Sequence, residues 1–156
     1  MLSRRSFLRS SAASAAYLGS GVSAAWAANA PGVTDTEIKI GQTMPYSGPA
    51  SAYGVIGRTE AAYFKMLNEQ GGVNGRKINL ISLDDGYSPP KTVEQTRRLV
   101  EKDNVALIFA SLGTPTNAAI RSYLNDNKVP QLFASSGASM FADRQHFPWT
   151  IGSGES

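Results

Sequence analysis

Apolar residues follow two alternating rhythms from Glu37 onward. In residues 37–43, E-I-K-I-G-Q-T, Ile38 and Ile40 alternate with polar neighbours, the period of a half-buried strand. Residues 51–70 carry Ile56, Tyr63, Phe64 and Leu67 at helical spacing, which predicts that these four pack inward. Gly71-Gly72 then stops the helix as a C-terminal cap does. Residues 77–84, K-I-N-L-I-S-L-D, read as a second strand. Ser88-Pro89-Pro90 predicts a helix start, with Ser88 as the capping side chain and proline in the first turn. That helix runs to about Asp103, with Val93, Leu99 and Val100 inward. The continuous apolar run of residues 105–110 predicts a strand buried on both faces. Thr114-Pro115 opens a third helix to about Asn127, with Ile120, Tyr123 and Leu124 as its core side. Residues 129–134 predict a fourth strand, and Trp149-Thr150-Ile151 the start of a fifth.

Strand and helix alternating three times predict an α/β fold: a doubly wound parallel sheet in three layers, helix, sheet and helix. In such sheets a ligand binds beyond the carboxyl ends of the strands, near the point where strand order reverses. Four turns are expected there. They are residues 43–53, residues 84–88, Ser111-Leu112-Gly113-Thr114, and residues 134–139 with Ser135, Ser136, Gly137 and Ser139. All are rich in Ser, Thr, Gly and Tyr. Glycine lets backbone N–H groups approach a ligand, and hydroxyls add adjustable donors. The third turn feeds a helix N-terminus, which favours an anion. Together they suit a small polar molecule bearing a carboxylate, although Ser, Thr and Gly are also ordinary turn residues.

Charge and composition narrow this reading. The chain has 15 Lys and Arg against 12 Asp and Glu, but three of the basic residues are Arg4, Arg5 and Arg9. Beyond residue 27 the two signs balance, which argues against a nucleic-acid partner. There is no cysteine, which excludes disulfides, zinc–thiolate sites and Cys nucleophiles.

The first 27 residues read as an address. Ser3-Arg4-Arg5-Ser6-Phe7-Leu8 precedes a run of Ala, Ser and Gly that ends Ala25-Trp26-Ala27. A positive start, a mildly apolar middle and a small-x-small end predict a secretory signal. Arg4 and Arg5 followed by Phe-Leu resemble the bacterial twin-arginine motif, which implies the Tat export machinery as a partner. Cleavage is expected after Ala27, leaving residues 28–36 as a mature N-terminal linker and a product that does not span the membrane. The run is too rich in Ser and Gly for a stable span.

Several chemistries fit poorly. Asp84-Asp85 offers paired acids for Mg²⁺, but the next strand ends Ala110-Ser111 instead of in an acid, so loop bracing by Asp84 is the expectation. His146 is the single histidine and lies in a turn, so no metal site is expected. There is no G-x-S-x-G elbow and no Gly-rich phosphate fingerprint after the first strand. No cofactor is expected. Arg97, Arg98, Glu101, Lys102 and Asp103 read as a solvated helix face.

Ile40-Gly41, Ser47-Gly48-Pro49 and Tyr53-Gly54 resemble the opening of the periplasmic binding proteins of branched-chain amino-acid type. Asn68-x-x-Gly71-Gly72-Val73-Asn74-Gly75-Arg76-Lys77, Asp84-Asp85 with Pro90-Lys91-Thr92-Val93, residues 108–114, Val129-Pro130 and Ser136-Gly137-Ala138-Ser139 continue it in register. The resemblance spans about residues 36–152. It implies the solute receptor of an ABC importer, with ABC permease subunits as partners, no enzymatic activity and a periplasmic location. It implies two doubly wound lobes that close on an amino acid or related carboxylate. The present chain then stands for an incomplete first lobe, residues 37–156, whose half-cleft is expected to bind weakly or not at all alone and whose exposed sheet edges are expected to make it aggregate. Under the resemblance Ser139 meets the ligand carboxylate and Gly137 offers backbone. Gly113 and Thr114 supply an amide and a hydroxyl, and Ser136 belongs to the same turn. Ser47 and Tyr53 line the cleft. Tyr87 and Leu112 depart from relatives that carry a disulfide at these two positions. They are free to face the cleft, where Tyr87 stacks on aromatic solutes. Two other classes remain open: a ligand-sensing domain of the same fold, and an exported flavodoxin-like or hydrolase enzyme.

Overall fold

The structure, a computed structural model, describes residues 30–153. Arg4, Arg5 and the expected cleavage point after Ala27 lie outside the described residues.

Five parallel strands form one sheet: β1 (Glu37–Met44), β2 (Lys77–Asp84), β3 (Leu107–Phe109), β4 (Gln131–Ala134) and β5 (Thr150–Gly152). Their spatial order is β2-β1-β3-β4-β5. The order reverses between β1 and β3, so a crevice opens there at the carboxyl ends. Three α-helices connect the strands: α1 (Gly54–Glu69), α2 (Pro89–Glu101) and α3 (Thr114–Asp126). Every predicted element is present, and the fold is the expected α/β layering.

One face carries the main core. Leu99 of α2, Ile108 of β3 and Ile120 and Leu124 of α3 are buried together with Val105. Burying each such side chain contributes roughly 1.5–3 kcal/mol. Gly41 has no side chain because Ile108, Val105 and Leu99 already fill its space at about 3.0–3.2 Å from a would-be Cβ. The other face is covered by α1, whose buried residues are Gly54 and Gly57 alone.

Three packing expectations are corrected here. Tyr63 of α1 is exposed, not a core residue. The helix approaches the sheet through its glycines, where Gln42 and Met44 take up the room. The run 105–110 is not buried on both faces as a unit. Ile108 is fully buried, but Phe109 sits in an edge-to-face row from Phe64 to Phe133, and Phe133 is 50% exposed. Ser88 makes no side-chain cap to α2. Instead the Thr92 hydroxyl lies 2.9 Å from both the Ser88 carbonyl and the Asp85 carboxylate.

Gly71-Gly72 ends α1 as read: the Gly72 N–H donates to the Leu67 carbonyl and the Gly71 N–H to that of Asn68, a Schellman pattern. Residues 30–36 fold back on the sheet's lower edge, with the Lys39 N–H donating to the Gly32 carbonyl at 2.8 Å.

Candidate functional site

The parallel register puts all four predicted turns at one rim. Main-chain bonds sew them together: the Leu112 N–H donates to the Thr43 carbonyl at 3.4 Å, and that of Gly113 to the Ser135 carbonyl at 3.0 Å.

Asp84, the last residue of β2, braces the first two turns. One carboxylate oxygen accepts the N–H groups of Tyr46, Ser47 and Gly86 at 2.9–3.0 Å. The other accepts the Ser47 hydroxyl at 2.5 Å and the Lys91 ammonium at 3.1 Å. Partial burial pushes this carboxyl's pKa up, but the donors outweigh it, those of Ser47 and Lys91 first, and hold it well below the usual 3.8. Asp84 therefore satisfies loop donors, as read. The Ser47 hydroxyl turns to Asp84.

Asp85 is fully buried and performs the same task one residue on. It accepts the Tyr87 N–H at 2.9 Å and the Thr92 hydroxyl at 2.9 Å. Tyr87 adopts φ +61, a left-handed conformation that costs a non-glycine residue roughly 1–2 kcal/mol. The Asp85 carboxylate holds it there, and the ring lies over Gly113. Gly113 has φ +103, and a Cβ there would stand 2.5 Å from the ring. Only glycine fits.

Tyr53, Tyr87, Leu112, Gly113 and Thr114, all predicted, line one cavity of about 330 Å³. This is the size of a small-ligand site. It lies at the carboxyl ends of β1 and β3, where strand order reverses. Tyr53 is 58% exposed and Tyr87 37%. Ala50 and Ser135 complete the lining; nothing in their residue type distinguishes them from ordinary turn residues.

Ser136 and Ser139 lie apart, in a cavity of about 200 Å³ that Phe141, Arg144, Ile151 and Gly152 also line. The Thr114 and Ser136 hydroxyls meet at 2.7 Å, so the two cavities share a wall. Gly137 is exposed, with open space where a side chain would stand. Arg121 pins the short helical turn Ser139–Ala142, donating to the Met140 carbonyl at 2.7 Å with its guanidinium 3.6 Å from the Phe147 ring centroid. Arg144 was not legible as a site residue, since only the return of β5 beside β4 brings it to the rim.

A buried polar chain sets the third turn. The Asn117 amide donates to the Ser111 and Gly113 carbonyls at 2.6 and 2.8 Å. Gln131 donates to the Asn117 side-chain oxygen at 2.9 Å and accepts from Thr150 at 3.0 Å. Asn125 donates to Thr150 at 2.8 Å and accepts the Trp149 N–H at 2.9 Å. Under α1, Gln42 donates to the Glu60 carboxylate, and Ser82 bridges Gln42 to the Tyr46 hydroxyl. Burial pushes the Glu60 carboxyl up, against the lowering hydrogen bond from Gln42.

His146 sits on an exposed turn, 3.0 Å from Asp143. Among the described residues no helix is long and apolar enough to cross a membrane.

A protein from Brucella abortus, Leu/Ile/Val-binding protein homolog 7, is 32% identical over 124 residues, covering 79% of this chain and 30% of that protein. The chain thus spans about 30% of the length of this curated relative. A substrate-binding periplasmic protein from Ralstonia solanacearum superposes with a TM-score of 0.68 at 26% identity, over 74% of this chain and 33% of the other. A fatty acid ABC transporter substrate-binding protein from Thermomonospora curvata gives a TM-score of 0.62 at 28% identity, over 72% and 29%. The profile of the periplasmic binding protein family matches residues 37–155, and the chain belongs to that family.

Proposed function

We propose that the chain is the extracytoplasmic solute-binding component of an ABC importer. It holds an amino acid or a related small carboxylate or amide, aromatic acids included, and delivers it to permease subunits. The observation that carries this reading is the cavity at the strand-order reversal, walled by Tyr53, Tyr87 and Leu112 with the Thr114 hydroxyl beside them. These groups suit holding a molecule: rings and a leucine for an apolar body, a hydroxyl for a polar end. The amino acids and the fatty acid named for two relatives have that same make-up. The solute is bound and released unchanged between two lobes. Export by the twin-arginine route, read from Arg4 and Arg5, with cleavage after Ala27, supports a periplasmic location.

Calorimetric titration of the chain with leucine, phenylalanine, benzoate and their amides tests the reading. Saturable heat from at least one solute, abolished by Tyr87→Ala or Thr114→Val, is the expected result. Turnover of any solute, or saturable heat that Tyr87→Ala and Thr114→Val leave unchanged, overturns it. The export route is tested separately by Arg4→Lys with Arg5→Lys, which should block export of a fused reporter that folds before translocation.

A further inference from the structure

We propose that Asp85 is a positioning residue for the solute: its buried carboxylate fixes the Tyr87 ring as a standing wall of the rim cavity, and that wall favours ring-bearing solutes over aliphatic ones. This rests on the binding function above and names the class of solute its site prefers.

Tyr87 has a backbone that its surroundings must hold. Six described residues other than glycine are left-handed: Asn74, Tyr87, Asn104, Ala110, Lys128 and Phe133. Of these, Tyr87 lines the cavity at the strand-order reversal. A bulky residue keeps such a conformation only where its neighbours over-determine it, and such places gather at ligand clamps.

Asp85 supplies that hold. Its carboxylate, fully buried, accepts the Tyr87 N–H and the Thr92 hydroxyl, each at 2.9 Å. Among the described residues Asp85 enters no ion pair, so its carboxylate serves these two donors. Its main chain is fastened as well. The Asp85 N–H donates to the Met44 carbonyl at 3.2 Å, and the Asp85 carbonyl accepts the Ser88 N–H at 3.0 Å. Tyr87 is thereby tied to the end of β1 and the first turn of α2, the rigid parts of the rim. On the far side the Cε2 and Cζ atoms of the ring meet Gly113, which has no room for a Cβ. Backbone and ring are both pinned.

A fixed ring changes which solutes it favours. Aromatic pairs gain from a definite offset or edge-on geometry, beyond the area they bury, and an aliphatic group does not share that gain. A mobile ring would lose it again to the cost of being ordered on binding, whereas a ring already held keeps it. Tyr53 lines the same cavity, so a flat solute has two phenol rings to lie against.

NMR of the chain tests this, with phenylalanine and leucine as probes, titrated into the high millimolar range. The ring current of Tyr87 displaces the Gly113 α-proton resonances, and Tyr87→Ala defines the size of that displacement. Asp85→Ala should abolish it, weaken phenylalanine about tenfold and weaken leucine by less than about threefold. Asp85→Asn should restore all three readings, since the amide oxygen still accepts the Tyr87 N–H. Thr92→Val, which removes only the second donor, should give the same changes in smaller measure and serves if Asp85→Ala does not fold. In a Tyr87→Gly chain, where glycine holds the left-handed angle unaided, Asp85→Ala should change neither probe further. A displacement that survives in Asp85→Ala or, failing its folding, is untouched by Thr92→Val overturns the positioning role. Equal weakening of the two probes overturns the selectivity. Both results leave the binding function standing; turnover of either probe overturns that function and leaves the ring-current result intact.

Discussion

The Tyr87 ring lies across the backbone of Gly113 so closely that a Cβ on the glycine would stand 2.5 Å from the ring's Cε2 atom. The second and third turns of the rim are thus fitted to one another. Each also holds a backbone angle that its neighbours must sustain, φ +61 at Tyr87 and +103 at Gly113.

Gly113→Ala should therefore destabilise the fold by about 3 kcal/mol, from backbone strain and overpacking together. Urea denaturation measures it. The Cβ would also stand 2.7 Å from the Thr116 hydroxyl, but the closest collision is with the Tyr87 ring, so Tyr87→Ala in the same chain should return at least about 1 kcal/mol beyond additivity. Additive losses would mean that the two residues do not meet.

Asp84 should give the protein an acid-sensitive rim. Its folded pKa lies below the ordinary 3.8, so its stabilisation is full above that value and is lost as pH falls through the folded pKa. The Asp84 side chain is 32% exposed, so a discounted loss of about 1–2 kcal/mol at neutral pH is expected for Asp84→Asn. The variant's urea midpoint should also vary less with pH on the acid side. An unchanged acid limb would remove Asp84 from this role.

Glu60 predicts the opposite trend. Its pKa is raised above 4.5, so ionisation opposes folding, and stability falls as pH rises from about that value through the folded pKa. Glu60→Gln keeps an acceptor for Gln42 and removes the charge. It should match or exceed the wild type by up to about 1 kcal/mol at neutral pH. A clear loss of stability would show that the carboxylate charge itself supports the helix.

Gln131→Leu would strip Asn117 and Thr150 of their shared partner. Leaving a buried group unsatisfied costs about 1–3 kcal/mol; Thr150 keeps its bond from Asn125, so the fall is expected to be about 2–4 kcal/mol and not the full sum for two groups. Hydrogen exchange should quicken at Gly113, whose carbonyl Asn117 holds. Normal protection there would separate the polar chain from the rim.

Much of this was legible in the sequence, because period-2 and helical spacings encode which face is buried. The pattern K-I-N-L-I-S-L-D marks both ends of β2, and Thr114-Pro115 marks the start of α3. The misses have physical causes. Tyr63 has the spacing of a core residue, but Gly54 and Gly57 bring α1 close along a different stripe. Ser88 has the chemistry of a cap, but Thr92 reaches the same carbonyl and Asp85. The strand within 105–110 ends before its apolar run does because Ala110 turns to φ +47. At the site, five expected residues share one cavity, while Ser136 and Ser139 face another. That division depends on how β5 returns beside β4, which no local pattern records.

β5 contributes only three residues, too few for hydrophobic alternation to fix how it aligns with its neighbour. Alignment instead falls to amides: a slip by one position would swing Thr150 to the opposite face and break its hydroxyl's bonds to the Gln131 and Asn125 side chains. The sheet's weakest margin thus proofreads its own pairing through polar atoms.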